Sequence, residues 1–418
     1  MDLENIFSIA RTIALNGGRL YLVGGAVRDE IMGLIPSDFD FCVTGLAEEK
    51  FMQLFPVAKK AGKYFPVFYI KKYEFALARS ERKVSEGHKG FEFNVSDKIT
   101  INEDLKRRDF TINAIAKDVL TGVFVDPFGG AKDIANKTIR HISNAFLEDP
   151  LRVYRAARFA ATFNFNIAEE TLEIMKNIKQ ELNTLSKERV FKELYKALET
   201  DTPSIFFNIL KNTNTLDVHF KELYNLIDIP QNIEYHPEGD VYNHTMLVLD
   251  RVSKATKDES LRYCALVHDF GKALTPKNVL PKHTGHDKAG INIVKDFSDY
   301  ITAPKIWKQK AMTTVKYHML AKECDKLSPI TFAKFINAIN RSKLTLDELE
   351  TIVNCNTMIK NQNISFANLG NKMLSTVTGK KLIEQGITPE TVGIEKFKNL
   401  LIQRQAKFIT EERKLAKF

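Results

Sequence analysis

The stretch YLVGGAVRDEIMGLIPSDFDFCVTG, residues 21 to 45, decides the fold of the first part of this chain. An apolar run ends in two glycines, a short helical segment follows, and a second apolar run carries Asp38 and Asp40. Because residues i and i+2 face the same side of a β-strand, we expect the two carboxylates to point together and Phe39 and Phe41 to point into the core. Carboxylates inside an apolar run are costly unless a cation or several donors meet them. The stretch therefore predicts a strand–helix–strand unit with a cation-binding acidic end.

The neighbouring residues favour a phosphate ligand at the same place. Two carboxylates on one strand face can hold one or two Mg²⁺ ions, which in turn bind a triphosphate. Gly24 and Gly25 allow close backbone approach at the start of the helix that begins near Ala26, and Arg28 can reach a phosphate oxygen from its first turn. An exposed Asp-x-Asp beside an ordinary turn is the plainer alternative, which the glycine pair and Arg28 disfavour.

Composition limits the class of protein. The 418 residues are 44% hydrophobic and 27% charged, which is typical of a globular chain with several domains. No run approaches the ~18 apolar residues of a membrane span, and the acidic start MDLENIF is not that of a secretory leader. Four cysteines without Cys-x-x-Cys spacing predict a reducing, cytoplasmic location. The net charge of +9 favours polyanionic partners.

Hydrophobic periodicity predicts the domain order. Short β-type runs alternate with helical segments up to residue 141, and helix-period segments follow one another after it, so the fold class is α+β. We predict an N-terminal extension (1–18), a head with a small mixed or antiparallel sheet (19–141), a helical neck (142–225), a helical body (226–345) and a basic helical tail (346–418). The tail either grips nucleic acid through its Lys and Arg residues or is an amphipathic helix pair that caps the body.

Several segments in order resemble the class II tRNA nucleotidyltransferases, or CCA-adding enzymes, and the related bacterial poly(A) polymerases, which share a polymerase-beta-like head. They are GGAVRDEIMG with SDFDF, YEFALARSERK, DLKRRDFTINAIA, EDPLRVYRAARFA and SKERVFKEL. The resemblance implies template-independent, Mg²⁺-dependent addition of C, C and A to the 3′ end of tRNA from CTP and ATP. A poly(A) polymerase, a partial enzyme that adds only CC or only A, and a non-catalytic RNA-binding scaffold remain as alternatives.

The resemblance also assigns roles in the head. Asp38 and Asp40 are expected to hold the metal, and Glu74 falls where the family has a glutamate, an edge-strand surface acid being the alternative. The implied nucleotide-binding residues are Gly24, Gly25, Arg28, Arg108, Asp109, Asn113, Arg155 and Arg158. Residues 76–94, rich in Arg, Lys, Ser and Gly, are expected to form a mobile loop, and by resemblance such loops adjust the site when specificity passes from C to A.

Asp149 and Arg152 are the expected base-selecting pair. Cytosine and adenine each present an exocyclic amine beside an unprotonated ring nitrogen. A carboxylate can accept from the amine while a guanidinium donates to the ring nitrogen, whereas guanine and uracil mismatch both groups. Arg152 shares one helix stripe with Arg155 and Arg158, because the three are spaced three residues apart.

A second constellation lies in the body. Imidazoles and one carboxylate from successive helical segments suit a transition-metal site for phosphoester hydrolysis: His244, His268, Asp269, His286 and His318. The segments HPEGDVYNHTMLVLD and ALVHDFGK resemble the HD phosphohydrolase domain of bacterial multifunctional CCA-adding enzymes. That resemblance implies 2′,3′-cyclic phosphodiesterase, 2′-nucleotidase and phosphatase activities with Ni²⁺ or another transition metal.

One departure from the HD pattern concerns a metal ligand. Met319 follows His318 where the family often has an acid, and Asp325 is an acid further along the chain. A site without that ligand could remain only as a structural shell. The other histidines, His88, His141, His219, His236 and His283, are expected to be surface or structural residues. The sequence leaves monomer and homodimer open.

Overall fold

The computed structural model describes residues 3–36, 38–61, 67–83, 91–357 and 364–415, with the side chains of 80–83 and 91–95 excepted. The chain divides into two compact units, Met1–Ser186 with Asn212–Thr215 and Lys187–Lys211 with Leu216–Phe418. The first unit contains the sheets, and the second has helices and loops but no strand among its described residues. The predicted α+β class, with a mixed sheet followed by an all-helical part, is confirmed.

The main sheet of the first unit has seven strands in the order β3-β4-β5-β2-β1-β8-β9. Its strands are β1 (Arg19–Val23), β2 (Asp40–Thr44), β3 (Lys59–Ala61), β4 (Val67–Ile70), β5 (Tyr73–Leu77), β8 (Ala116–Asp118) and β9 (Phe124–Val125). Strand β1 runs antiparallel to β2 and β8, whereas β2 runs parallel to β5, so the sheet is mixed. The acidic strand β2 therefore has a neighbour on each side.

Two strand pairs lie outside the main sheet: the antiparallel pair β6 (Arg79–Lys83) and β7 (Phe91–Val95), and the parallel pair β10 (Thr138–Ile139) and β11 (Asn166–Ile167). Residues 76–94 were predicted to form one loop, and this prediction is wrong for the parts that form β6 and β7, which pair as antiparallel strands. Residues 84–90, with His88, lie outside the described residues.

The core holds β2 from both faces of the sheet. On one face, Phe41 stacks on Phe75 with ring centroids 5.1 Å apart. On the other, Cys42 belongs to a buried cluster with Val23 and Leu105. Burial of alternate residues on opposite faces fixes the register, because a one-residue slip would exchange the two faces. Asp40, the first residue of β2, is therefore placed by the packing of the strand behind it.

The helices of the first unit are α1 (Leu3–Leu15), α2 (Gly25–Ile31), α3 (Glu48–Leu54), α4 (Ile101–Lys106), α5 (Gly130–Ala135), α6 (Leu151–Phe163) and α7 (Glu169–Asn177). The helical periodicity of EDLKRRDFTINAIA, residues 103–116, predicts one continuous helix, but the observed helix is shorter. Helix α4 ends at Lys106, and Arg108 and Asp109 lie in the turn that follows. A 3₁₀ turn and β8 come next, because the Asp109 carboxylate accepts from the Phe110 N–H at 2.9 Å and β8 pairs with β1.

The second unit contains the helices α8 (Lys187–Leu198), α9 (Ser204–Asn212), α10 (Leu216–His219), α11 (Lys221–Tyr224), α12 (Val241–Ala255), α13 (Glu259–Val267), α14 (His286–Tyr300), α15 (Lys305–Lys322), α16 (Pro329–Asn340), α17 (Leu346–Asn356), α18 (Ala367–Thr376), α19 (Gly379–Glu384), α20 (Pro389–Val392) and α21 (Ile394–Leu415). The fully buried Arg262 of α13 donates to backbone carbonyls, among them those of Leu198 at the end of α8, Thr200 beyond it and Ser253 in α12. Within the described ranges, no helix has the length and hydropathy needed to cross a membrane.

Candidate functional site

The acidic end of β2 lies beside a second carboxylate. Asp40 pairs with Glu74 of β5 across the parallel strands, and exposed Asp38 precedes β2. Loss of water around Asp40 and the nearby Glu74 carboxylate raise the pKa of Asp40, with a smaller rise from Asp38, while Arg108 opposes them. Tyr69 donates to Glu74 Oε2 at 3.0 Å, which fixes that side chain. A carboxylate whose pKa is raised by a neighbouring carboxylate marks a place at which a divalent cation is stabilising.

A cleft of about 160 Å³ opens at this edge and joins the carboxylates to cationic groups. Asp40, Glu74, Arg79, Arg107 and Arg108 contribute to its lining. Arg108 Nη2 lies 3.3 Å from Asp104 Oδ2. Burial would raise the pKa of Asp104, but Arg107 and Arg108 outweigh it and lower that pKa. The cleft thus combines carboxylates that could bind a metal ion with arginines that could bind phosphate groups. A triphosphate with its metal ion requires both.

The position of the Arg108 guanidinium requires a glycine at residue 24, whereas residue 25 has room for a side-chain Cβ. Gly24 has a φ of 72°, and a Cβ there would lie 2.9 Å from Arg108 Nη1. A Cβ on Gly25 would meet only Arg28 Nη2 at 3.5 Å, which is an ordinary contact. The first glycine of the pair therefore lets the Arg108 guanidinium lie against the turn between β1 and α2.

A hydrogen-bonded chain connects the predicted nucleotide-binding residues. Arg28 Nη1 donates to Asn113 Oδ1 at 2.7 Å, and Arg28 Nε donates to Asp29 Oδ1 at 2.9 Å. Asn113 Nδ2 donates to Asp109 Oδ1 at 3.1 Å, and Arg155 Nε donates to Asp109 Oδ2 at 2.8 Å. Burial would raise the pKa of Asp109, but Arg155 and Asn113 hold it at about 2. The structure thus brings three distant segments of the sequence together.

The predicted base-selecting residues lie at the start of α6. Asp149 Oδ1 accepts from the Leu151 N–H at 3.1 Å. The Arg152 guanidinium donates to the carbonyl oxygens of Ala145 at 2.9 Å and of Arg107 at 2.8 Å. Arg152 therefore connects α6 to the turn that carries Arg108. Further along the helix, the Arg158 guanidinium lies 3.9 Å from the Phe159 ring centroid.

The second constellation, in the helical unit, converges on Asp269. Its Oδ2 lies 3.1 Å from His268 Nε2 and 3.6 Å from His244 Nε2. Its Oδ1 lies 3.3 Å from His286 Nε2 and 3.7 Å from His318 Nε2. The five side chains come from α12, α14, α15 and the segment after α13, and all are buried. The structure thus brings the five predicted ligands into one cluster.

The histidines are oriented before any ion binds. The Nδ1 atoms of His268, His286 and His318 lie 2.7, 2.7 and 2.8 Å from the carbonyl oxygens three residues earlier, those of Ala265, His283 and Val315. A proton on each Nδ1 leaves the Nε2 lone pair facing Asp269. His268 Nε2 and both Asp269 oxygens are buried without a partner of hydrogen-bond geometry, although ionic contacts lie nearby. These donors fit a transition-metal ion.

Burial keeps the imidazoles in their ligand form. Desolvation lowers the pKa of His244 to about 4 and that of His318 well below its ordinary value. Burial would raise the pKa of Asp269, but His268 and Lys272 lower it far below the ordinary value. Lys272 Nζ contacts Asp269 Oδ2 at 2.7 Å. At neutral pH the cluster therefore contains neutral imidazoles at His244 and His318 beside an ionised carboxylate, the protonation states that metal binding needs.

A cavity of about 480 Å³ adjoins this cluster and is rich in cations. Lys272, Lys282, Lys322, His236, His283 and His286 contribute to its lining. Desolvation lowers the pKa of Lys322 to about 8. Met319 is part of the wall, whereas Asp325 lies exposed in the short helix Cys324–Lys326, outside the metal-ligand clusters found among the described residues. The cavity suits an anionic substrate.

Sequence reasoning missed some residues around this cluster. Glu238 accepts from His236 and His244, Lys272 contacts Asp269, and Lys322 lines the cavity. Spacing could have indicated the two lysines, since Lys272 follows Asp269 by three residues and Lys322 follows His318 by four on one helix. His236 and His283, expected to be surface or structural, line the cavity. His219 is buried, and His141 bonds to Thr171 as a structural residue would.

Known proteins match this architecture. Residues 20–140 match a family model described as the poly A polymerase head domain, and residues 164–226 match the probable RNA and SrmB-binding site of polymerase A. A CCA-adding enzyme solved with ATP has a TM-score of 0.66 at 22% identity, covering 98% of this chain and 93% of that one. The Thermotoga maritima CCA-adding enzyme complexed with tRNA gives 0.65 at 20%, covering 97% and 94%. The "Multifunctional CCA protein" of Mannheimia succiniciproducens is 44% identical over 332 residues, 77% of this chain and 78% of that protein. This chain therefore belongs to the multifunctional CCA protein family.

Proposed function

We propose that this chain adds C, C and A to the 3′ end of tRNA, using CTP and ATP and no template. The observation that carries the proposal is the cleft at the paired strands β2 and β5, which Asp40, Glu74 and Arg108 line together. The name of the 44% identical relative supports the reaction. Solved enzymes of the same fold are described with ATP and with tRNA, which supports these two partners.

The residues divide the work of nucleotidyl transfer. The 3′-hydroxyl of the RNA attacks the α-phosphate of the nucleotide, and pyrophosphate leaves. Asp38, Asp40 and Glu74 would hold Mg²⁺, which lowers the pKa of the hydroxyl and neutralises charge on the leaving group. Arg108, Arg28, Arg155 and Arg158 would hold the phosphates and sugar, with Asp109 and Asn113 orienting Arg155 and Arg28.

Asp149 and Arg152 would select the base. Their place at the start of α6, joined to the Arg108 turn through the Arg107 carbonyl, puts them next to the phosphate-binding residues. A carboxylate that accepts and a guanidinium that donates match cytosine and adenine and mismatch guanine and uracil. One pair of side chains would therefore serve both nucleotides that the reaction uses.

The direct experiment supplies purified protein with tRNA that lacks its 3′ CCA and with each labelled nucleotide in turn. We expect two C residues and then one A; an A tail without limit would indicate a poly(A) polymerase, and addition of only CC or only A a partial enzyme. Asp40→Asn should abolish incorporation while tRNA binding persists, because it removes one charge from the metal site. Asp97→Asn, on an exposed turn of the same unit, is the control and should keep activity. Incorporation by Asp40→Asn would contradict the mechanism.

A second function is supported by the Asp269 cluster. Nε2 atoms of buried histidines around one carboxylate, beside a cavity lined by lysines, suit metal-dependent hydrolysis of a phosphoester. We expect turnover of 2′,3′-cyclic AMP, 2′-nucleotides or phosphomonoesters when Ni²⁺, Co²⁺ or Mg²⁺ is added. Asp269→Asn should remove this activity and leave CCA addition intact. No turnover with any of these ions would leave the helical unit as a scaffold.

A further inference from the structure

We propose that Glu238 is a positioning residue for the Asp269 cluster: it accepts the Nδ1 proton of His244 and so turns His244 Nε2 toward the ion. The proposal rests on the second proposed function, since it concerns how the helical unit holds a metal. The Nδ1 of His244 lies 2.6 Å from Glu238 Oε1. The carboxylate is only 6% exposed and the imidazole is fully buried.

The four histidines show why a carboxylate is needed here. His268, His286 and His318 each direct Nδ1 at the backbone carbonyl three residues earlier. The equivalent carbonyl for His244, that of Val241, instead accepts from Thr245 Oγ1 at 2.8 Å. Glu238 takes that place from the segment before the helix, whose N-terminus Asp240 caps by accepting from the Asn243 N–H.

The distances distinguish a hydrogen-bond partner from a further metal ligand. Glu238 Oε1 lies 2.6 Å from His244 Nδ1 and 2.9 Å from His236 Nδ1, which are hydrogen-bond lengths. Ligand atoms about 2.0–2.2 Å from a tetrahedral ion are separated by about 3.3–3.6 Å. The ring nitrogens near Asp269 lie 3.1–3.7 Å from its oxygens, which fits that spacing. The ion therefore belongs at Asp269, and Glu238 supports it through His244.

The other side of His244 fits this tautomer only with the Asn356 side-chain amide turned. Nε2 lies 2.8 Å from Asn356 Oδ1, an acceptor, and 3.6 Å from Asp269 Oδ2. With its proton on Nδ1, the neutral ring presents a lone pair at Nε2, and the amide satisfies it by donating through nitrogen after a flip of its two ends. The Asn356 amide and a metal ion would therefore compete for the same Nε2 lone pair, whose direction Glu238 fixes.

The test measures ion binding by the full-length protein rather than its turnover. Carboxylate partners of metal-bound histidines typically change metal affinity by about 10- to 100-fold. We therefore expect Glu238→Gln to weaken Ni²⁺ or Co²⁺ binding about 10- to 100-fold by calorimetry, and to change the visible spectrum of bound Co²⁺. Glu238→Asp, which keeps a carboxylate, should recover part of the affinity. Glu234→Gln, exposed in the same segment, is the matched control and should bind as the wild type does.

Nitrogen NMR of the His244 ring gives a readout that general loosening of the fold would not produce. We expect an Nδ1–H tautomer in the wild type and a mixture of tautomers in Glu238→Gln, with CCA addition unchanged in both. Equal Ni²⁺ affinity and equal Co²⁺ spectra in wild type and Glu238→Gln would overturn the role of Glu238. Failure of the wild type to bind either ion would instead refute the proposed metal site itself, so the two failures are distinguishable.

Discussion

At the scale of single residues, the decisive contacts of the head involve groups whose size or charge allows no substitute. Gly24 is such a case, because Arg108 Nη1 occupies the space that a side chain would fill. The backbone adds a second requirement, because φ 72° with ψ −132° lies close to a region that essentially only glycine adopts. The glycine pair recognised in the sequence thus has a steric reason at its first member.

Gly24→Ala is expected to lower nucleotide incorporation by at least about tenfold, because displacing Arg108 removes a fixed cation from the cleft, worth about 1.5–3 kcal/mol in a charged hydrogen bond. Gly122→Ala is the control: its φ is also 72°, but a Cβ there would meet nothing within 4 Å. Measuring thermal unfolding and nucleotide incorporation on both variants separates the effect of backbone strain from the effect of displacing Arg108. Equal activity losses in the two variants would show that the Arg108 contact does not matter.

At the scale of elements, helix α6 carries arginines that bind different partners. Arg155 is bound to Asp109, whereas Arg152 bridges to the carbonyls of Ala145 and Arg107. The spacing of three predicted that these arginines share one stripe, and the structure shows what each contacts. The helix thereby links the expected base-selecting end to the phosphate-binding turn.

Arg152→Ala should relax the choice of C and A over U and G. A hydrogen bond to a charged group contributes about 1.5–3 kcal/mol, so the preference should fall about 10- to 100-fold in competition assays with all four triphosphates. Arg158→Ala on the same helix is expected to weaken all nucleotides alike, which separates binding from selection. Unchanged discrimination in Arg152→Ala would refute the base-pair-mimic argument.

Elements also show where pattern reading fails. The segment from Asp104 to Ala116 has helical periodicity, yet it forms a short helix, a turn and β8. The loss of helix comes from tertiary pairing: the Asp109 carboxylate binds its own neighbouring N–H, and Ala116 pairs with Val23 of β1. Neither contact is visible from spacing along the chain, because strand pairing depends on residues far away in sequence.

At the scale of the whole molecule, most of the fold class and the members of both sites followed from short motifs. The mixed sheet with a helical continuation was predictable because alternation and helical periods change near residue 141. The cluster around Asp269 was predictable by residue type. The supporting residue Glu238 was not, since a lone acid in a sequence has no spacing signal that separates support from solvent exposure. The predicted domain boundaries remain predictions.

The buried guanidinium of Arg262 has a practical consequence for cutting this protein into pieces. Its donors end on carbonyls of Leu198 and Thr200 as well as on those of α12 and the segment after it. A fragment that started at the predicted body, near residue 226, would keep the cation and lose two of its acceptors. A buried donor left without an acceptor costs about 1–3 kcal/mol, and more on a charged group, a sizeable part of the ~5–15 kcal/mol margin of a domain. Expression of the helical unit alone should therefore begin ahead of α8.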